Sequence, residues 1–567
     1  MDSGSVHGSR FTVHGNGDAA AEAVRSIQDG LGVPNLFARI LVSRGITSVD
    51  EAETFLRPRL DDLSDPFLLP DMAHGVDRAI RAIIQNEKIS LYGDYDADGI
   101  TSTAILFNFL RHVGSKPEVY LPKRDEGYGL NRDAVTKLKA KGTDLLICAD
   151  CGSSNIEEIG LAKALGMDVI VIDHHEVPEA MPDACAIINP KRKDSLFPTR
   201  ELAACGVAFF FLWALRRVMH GRGLLKGTIN LKKELDLVTL GTVGDMVPLV
   251  KDNRVIVKFG IENMKRQPRT WLKTFLRKNL IPRNGNIDEY ALNFVIIPRI
   301  NATGRVSEPE ISLKFLVSDD EKSSESFLTY MNESNLKRQR ISEEILREIT
   351  DTLDHEKLEG QNSIVVYKED WHIGVIGIVA QKLVDLYRKP SIVITRVDGI
   401  CKGSGRGGDG LNLHETLSSL TPHLLKFGGH KYACGVSLLE ENVEPFREAF
   451  EERVAGATYD KTKVCHVDTY AEFEEMTNDL VESIEHLAPY GVGNPRPGIL
   501  LAPSSVTAMN NGRVKITDGG KKTWYGYVQG QQPIPRCRNL QIIASPVIRE
   551  EMGERFIHLN IREMIPR

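Results

Sequence analysis

The chain has 567 residues, enough for three or four domains at ~150 residues each. At 42% hydrophobic and 26% charged it has the make-up of a globular protein with several cores. Its formal net charge of -6 excludes a globally basic nucleic-acid binder, so any basic site must be local.

No run approaches the ~20 apolar residues of a membrane helix. The N-terminus lacks the apolar stretch of a signal peptide, and eight scattered cysteines argue for reduced thiols in a cytoplasmic protein. Residues 1 to 18 read as a flexible lead-in, and the segment to residue 80 as helical and irregular, punctuated by Pro58, Pro66 and Pro70. From Ile89 the texture changes. ISLY (89–92) reads as a buried strand, and the apolar stretch after Gly99 as a helix ending near Gly114. EVYL (118–121) is a second strand. Residues 131–142 form a helix with an Asn start and a Gly stop, and DLLICAD (144–150) is the next strand. A helix follows, for which Ser154 and Glu157 are expected to form a capping box. DVIVID (168–173) is another strand and runs into His174 and His175. Strands alternating with helices imply a mostly parallel sheet.

Between residues 310 and 355 a polar, periodic helix is expected, the kind that bridges domains. Its run KRQR (337–340) can touch phosphate or serve as a solvated face. A second α/β block follows, with two glycine-rich turns, KGSGRGGDG and FGGHKYACG. After Val464 the signals are those of β-hairpins, NNG (510–512) and DGG (518–520), with Ile557, Leu559 and Ile561 alternating onto one face. The expected fold class is thus α/β with an all-β end. An N-terminal segment (1–80) precedes a catalytic domain with a mostly parallel sheet (81–310). A connecting helix (311–355), a smaller α/β domain (356–455) and a C-terminal β domain (456–567) follow.

Asp94, Asp96 and Asp98 alternate ahead of Gly99, as at the start of an EF-hand loop. The twelfth residue of such a loop would be Ile105 rather than a bidentate Glu, and a strand rather than a helix precedes it. The acidic turn therefore joins three other points: Asp150, the Asp173-His174-His175 run, and Asp245. Three of the four stand at carboxyl ends of predicted strands, where α/β sheets collect ligands. Converging carboxylates repel one another and lose hydration, so they need a cation. Carboxylates with one or two imidazoles suit Mn²⁺ or Mg²⁺, and two ions ~3.5–4 Å apart can clamp the attacking and leaving oxygens of phosphoryl transfer. Cys148 and Cys151 form a lone CxxC with no second pair to complete a zinc site.

GDYDADG, the isolated Asp150 in ADCGS, DHH (173–175) and TVGD (242–245) resemble the four motifs of the DHH phosphoesterase superfamily. PRINATGR (298–305), GSGRGGDGLNL (403–413) and FGGHKYACGVSL resemble one branch of it, the RecJ family of single-strand-specific 5′→3′ DNA exonucleases with DHH and DHHA1 domains. The resemblance implies an enzyme of DNA repair and recombination that holds two Mn²⁺ or Mg²⁺ ions. Asp150 would bridge them, with Asp96, Asp98, His174 and Asp245 as ligands. Asp94 would ligate or stand behind a ligand, and His175 would ligate or donate to the phosphate. Asp150, His174 and His175 would carry the catalysis. Asp173 is expected to orient His174 or its loop.

The resemblance also places a terminal phosphate against Arg305, Ser404 and Arg406, with Asn301 and His430 beside it. It implies an OB-like C-terminal domain in which Trp524, Tyr525 and Tyr527 beside Lys521 and Lys522 could stack on bases. It implies single-stranded DNA as partner, with single-strand-binding protein and a helicase as associates, no membrane contact, and a monomer. Two other readings are a DHH phosphodiesterase for short oligonucleotides or cyclic dinucleotides, and a non-catalytic replication or repair scaffold. The intact ligand set argues against the scaffold.

Overall fold

The computed structural model describes residues 3–6, 9–13, 18–225, 227–281, 287–408, 410–457, 463–519, 522–528, 540–551 and 554–566. The chain forms two compact units, residues 63–461 and residues 1–62 with 462–567.

In the larger unit the first sheet has five parallel strands. They are β1 (Ile89–Tyr92), β2 (Glu118–Tyr120), β3 (Leu145–Ala149), β4 (Asp168–Ile172) and β5 (Ala186–Ile188), in the order β2-β1-β3-β4-β5. Every residue of β1 and β3 is buried, which is why these strands read as continuous apolar runs rather than alternating ones. One face packs Tyr92, Leu146, Cys148, Val169 and Val171 against Val135, Leu138, Ile159 and Ala162. Each such aliphatic side chain contributes roughly 1.5–3 kcal/mol. Cys148 and Cys151 sit in this core and belong to no metal-ligand cluster among the described residues.

Between the strands, α1 (Ala97–His112) starts one turn earlier than the sequence predicts, because Asp96 caps it by accepting from the backbone N–H groups of Asp98 and Gly99. It is wedged against α4 (Ala204–Gly221) and α5 (Leu235–Gly244). α2 (Arg132–Ala140) begins at the Asn131 cap as expected. The capping box expected for α3 (Ile156–Ala164) is not formed. The helix follows Asn155 without a side-chain cap, since the Asn155 amide is engaged with both the N–H and the carbonyl of Leu130.

The helix predicted over 310–355 is two helices. The break at Ser318–Asp320 arises because Asp320 caps the second one, accepting from Ser323 N at 2.7 Å. After α6 (Ile297–Val306), this long helix, α7 (Glu321–Thr352), buries Leu328, Met331, Ile345 and Ile349. The second sheet contains β6 (Ile364–Tyr367), β7 (Ser391–Val397), β8 (Ile400–Arg406), β9 (Lys426–Gly429) and β10 (Ala433–Leu438), in the order β9-β10-β8-β7-β6, with α8 (Ile376–Tyr387) between β6 and β7. Antiparallel pairing of β8 with β10 sets Ser404 opposite Gly435 and Arg406 opposite Ala433. The two glycine-rich turns therefore lie side by side.

In the smaller unit the chain ends share one core. Leu36, Phe37, Ile40 and Leu41 pack with Leu480, Ile484, Ile516, Trp524, Leu559 and Ile561, so residues 18–62 are part of the C-terminal unit rather than a segment of their own. Ser3–Val6 and Ser9–Val13 form an antiparallel pair, and Lys463–Val467 joins it in parallel. The C-terminal β-rich part is a seven-stranded sheet, with Leu559 and Ile561 inward as their alternation requires. Among the described residues no helix is long and apolar enough to cross a membrane.

Candidate active site

The carboxyl ends of β1, β3 and β4 and the end of α5 bring the acidic motifs together. β1 delivers Asp94 and Asp96, α1 turns Asp98 inward, β3 ends on Asp150, β4 runs into Asp173-His174-His175, and Asp245 closes α5. Gly99 is needed for this convergence, because a Cβ there would lie 2.6 Å from the Asp94 backbone. Three overlapping groups have ligand atoms within 4.8 Å of one another: Asp94, Asp96 and Asp150; Asp98, His174 and Asp245; and Asp150, His174 and His175. Asp150 is shared by the first and third.

The electrostatics are those of a cation site. Burial, and then the neighbouring carboxylates, raise Asp94 to about 8, Asp98 to about 6 and Asp245 to about 8, and push Asp150 well above the carboxylate range. Asp94 Oδ1, Asp150 Oδ1 and His174 Nε2 are buried with no hydrogen-bond partner. Burial and the His175 charge hold His174 down at about 3, leaving it neutral, as a ligand must be. Unsatisfied acceptors on mutually repelling acids, beside a neutral imidazole, fit divalent cations held by oxygen and nitrogen.

His175 differs. Burial would lower it, but its hydrogen bond to Asp173 and the charges of Asp173, Asp245 and Asp94 together outweigh that and raise it to about 9. Asp173 Oδ1 accepts from His175 Nδ1 at 2.8 Å, and also from the backbone N–H groups of His174 and His175, while Oδ2 accepts from Ser153 N. Asp173 therefore orients the ring of His175 and the whole loop, but not the ring of His174. Tyr128 also braces the ring, its Oη 2.9 Å from His175 Nδ1 and 3.1 Å from Nε2, and it donates to the Asp150 carbonyl at 3.1 Å. Asp173→Asn places an amide where four donors converge. Mn²⁺ affinity and turnover are expected to fall about 10–100-fold, with calorimetric Mn²⁺ titration as the check.

Beside the acids lies a set of arginines. Arg406 Nη1 donates to Ser404 Oγ at 3.1 Å, at the N-terminal end of α8, where a Cβ on Gly377 would meet both side chains. Exposed N–H groups at a helix start favour an anion there. Arg305 Nη1 donates to the Gly374 carbonyl at 3.2 Å. Burial, and then the charges of Arg124, Arg338 and Arg406, lower it to about 9. Arg124 lies over the Tyr95 ring at 4.5 Å, with its Nε buried and unpartnered. His430 stacks on His175 at 6.2 Å between centroids, so the second glycine-rich turn reaches the catalytic loop.

Comparisons with known proteins agree with this geometry. The DHH family, N-terminal domain, matches residues 88–242, and the DHHA1 domain matches residues 360–456. The single-stranded-DNA-specific exonuclease RecJ of Bacillus subtilis is 36% identical over 85% of this chain, which spans 60% of that protein's length. RecJ of Dickeya dadantii is 33% identical, covering 82% of this chain and 83% of its own. The chain belongs to the RecJ family. The crystal structure of RecJ from Thermus thermophilus in complex with Mn²⁺ superposes on it with a TM-score of 0.84 at 25% identity, over 98% of this chain and 79% of that one.

Within this RecJ-family chain, Asp94, Asp96, Asp98, Asp150, His174, His175 and Asp245 meet as the sequence predicts, and Arg305, Ser404, Arg406 and His430 stand beside them. Asn301 Oδ1 accepts from Ala97 N at 2.8 Å, so Asn301 fixes the acidic turn. One expected substrate contact is corrected. Trp524 is buried against Phe473 in the core and covered by Lys522, whereas Tyr525 is exposed. Lys521 lies outside the described residues. Arg124, Tyr128 and Arg338 were not singled out as site residues from the sequence. The first two lie in KRDEGYGLN, whose basic pair and two glycines were the available signal.

Proposed function

We propose that this RecJ-family chain is a Mn²⁺- or Mg²⁺-dependent exonuclease that degrades single-stranded DNA from its 5′ end to mononucleotides, acting in DNA repair and recombination in the cytoplasm. One observation carries the reading: an acidic cluster with unsatisfied buried ligand atoms adjoins a cationic pocket at a helix N-terminus. The relatives are named single-stranded-DNA-specific exonucleases, and the Thermus protein was crystallised with Mn²⁺.

Asp94, Asp96 and Asp150 would hold one cation, and Asp98, His174 and Asp245 another. Bound cations supply water activation and charge neutralisation at the reacting phosphate. The protein's residues do the rest. Asp173 keeps the proton on His175 Nδ1, so an imidazolium faces the phosphate as negative charge grows. Arg406, Ser404, Arg305 and Arg124 grip the terminal phosphate and set which bond is presented. Breaking the P–O3′ bond adds water, releases a 5′-mononucleotide and leaves a new 5′-phosphate for the same grip.

Strands labelled at either end test this. With Mn²⁺, a 5′ label is expected to appear at once as mononucleotide, and a 3′ label only after the strand has shortened, with chelator stopping both. Early release of the 3′ label, or digestion unaffected by chelator, would overturn the reading.

A further inference from the structure

The run KRQR on α7 is not used by the terminal-phosphate grip, yet the fold places part of it in the same row of charge. Arg338 is half-buried. Its Nη2 donates to Asn335 Oδ1 at 2.9 Å, and its Nε is buried with no acceptor. Its charge acts on Arg305 on one side and on Arg299 on the other. Arg406 instead interacts with Arg124 and shows no influence of Arg338. α6 packs along α7, with Arg299 Nε donating to Asn332 Oδ1 at 2.5 Å and the Ser307 and Ser334 hydroxyls 2.9 Å apart, so Arg338 on the connecting helix adjoins the arginines of α6.

Among the main charges acting on Arg305 the acidic one is Asp96, which belongs to the metal cluster. Arg299 spends its own donors on Asn332 Oδ1 and the Val295 carbonyl, neither of them charged. Desolvated cations need a counter-charge. A terminal phosphate brings at most about two negative charges, too few for five guanidiniums, and Arg338 keeps a buried Nε with no partner. Resting on the exonuclease reading, we propose that Arg338 on the connecting helix binds a second phosphate of the same strand, an internal phosphodiester, and so measures the strand beyond the nucleotide being released.

Binding of a fluorescent oligonucleotide in chelator tests this as salt is raised, using strands with a 5′-phosphate and with a 5′-hydroxyl. For Arg338→Ala we expect affinity about ten-fold weaker on both strands, and a salt slope smaller by about 0.7, the value for one lost phosphate contact on a single strand. Arg338→Lys should keep the slope while losing affinity. Arg340→Ala, an exposed neighbour on the same helix, should match the parent and controls for helix integrity, together with thermal unfolding of all three. Arg406→Ala should lose most on the 5′-phosphate strand. An Arg338→Ala slope equal to the parent's, or an effect confined to the 5′-phosphate strand, overturns the proposal. Parent protein that neither binds nor shortens single strands would overturn the exonuclease reading instead.

Discussion

Asp150→Asn is expected to abolish strand hydrolysis by at least about a thousand-fold, while the metal-free variant melts at or above the parent at pH 8. Asp150 ends β3 with φ of 67°, a left-handed conformation that Asn tolerates better than most residues, so the backbone can stay in place with its N–H on the Ile172 carbonyl at 2.9 Å. The substitution changes the charge and little else. Burial and the charges of Asp98, Asp96, Asp94 and Asp245 raise the folded pKa of Asp150 well above its ordinary value. A carboxyl raised in this way favours the folded state at a pH below its unfolded pKa, about 3.9, and loses that contribution as the pH climbs. As the pH climbs past that unfolded value, the fold must either hold the proton on this buried group or bear its charge, and Asn removes that cost. Melting curves without metal should therefore separate parent and variant at pH 8 and bring them together near pH 4. A variant that melts far below the parent at pH 8 would mean that Asp150 holds the loop by something other than its charge.

That result would also separate what the sequence made legible from what it did not. The four acidic motifs could be read because each is local: three are an acid just past a strand, where a parallel sheet must gather its loops, and the fourth, Asp245, closes a helix. Asp173 as an orienting acid and the two glycine-rich turns belong to the same class, whereas the Asp96 cap shows only in the fold. The missed features are set by packing between distant segments. Asn301 looks available in PRINATGR, and only the fold shows its carbonyl taken by Ala97, some two hundred residues earlier. Trp524 looks like a stacking platform until the N-terminal helices cover that sheet and make it core. Alternation along a strand says that one face is inward but not which partner will bury it. Arg338 is the converse case. One residue of a solvated-looking run is turned inward by helix periodicity, while Arg340, two positions on, stays exposed.

Removing the metal is expected to have the second large effect, and its pH dependence is the sharper test. Chelation should stop digestion, and in its absence saturating Mn²⁺ should raise the melting temperature, with about 2.7 kcal/mol of stabilisation at a hundred times the dissociation constant. In the metal-free protein Asp94 and Asp245 titrate at about 8 and Asp98 at about 6, all above an unfolded value of about 3.9. Their contribution to stability is complete below pH 4 and is lost as the pH rises through 6 to 8. A bound cation reverses the preference, because only the ionised carboxylates ligate it. The metal-loaded protein should therefore lack that decline. The gap between the two melting curves should be small near pH 4 and widest above pH 8, and Mn²⁺ binding should release protons at pH 7 but far fewer at pH 9. Calorimetry in buffers of different ionisation enthalpy counts those protons. A Mn²⁺-induced shift equal at pH 5 and pH 8, without proton release at pH 7, would place the ion away from these acids. Asp150→Asn joins the two experiments: a carboxylate shared between two ligand groups predicts that the variant loses most of the Mn²⁺-induced rise, whereas an acid lying beside the ions would leave it nearly intact.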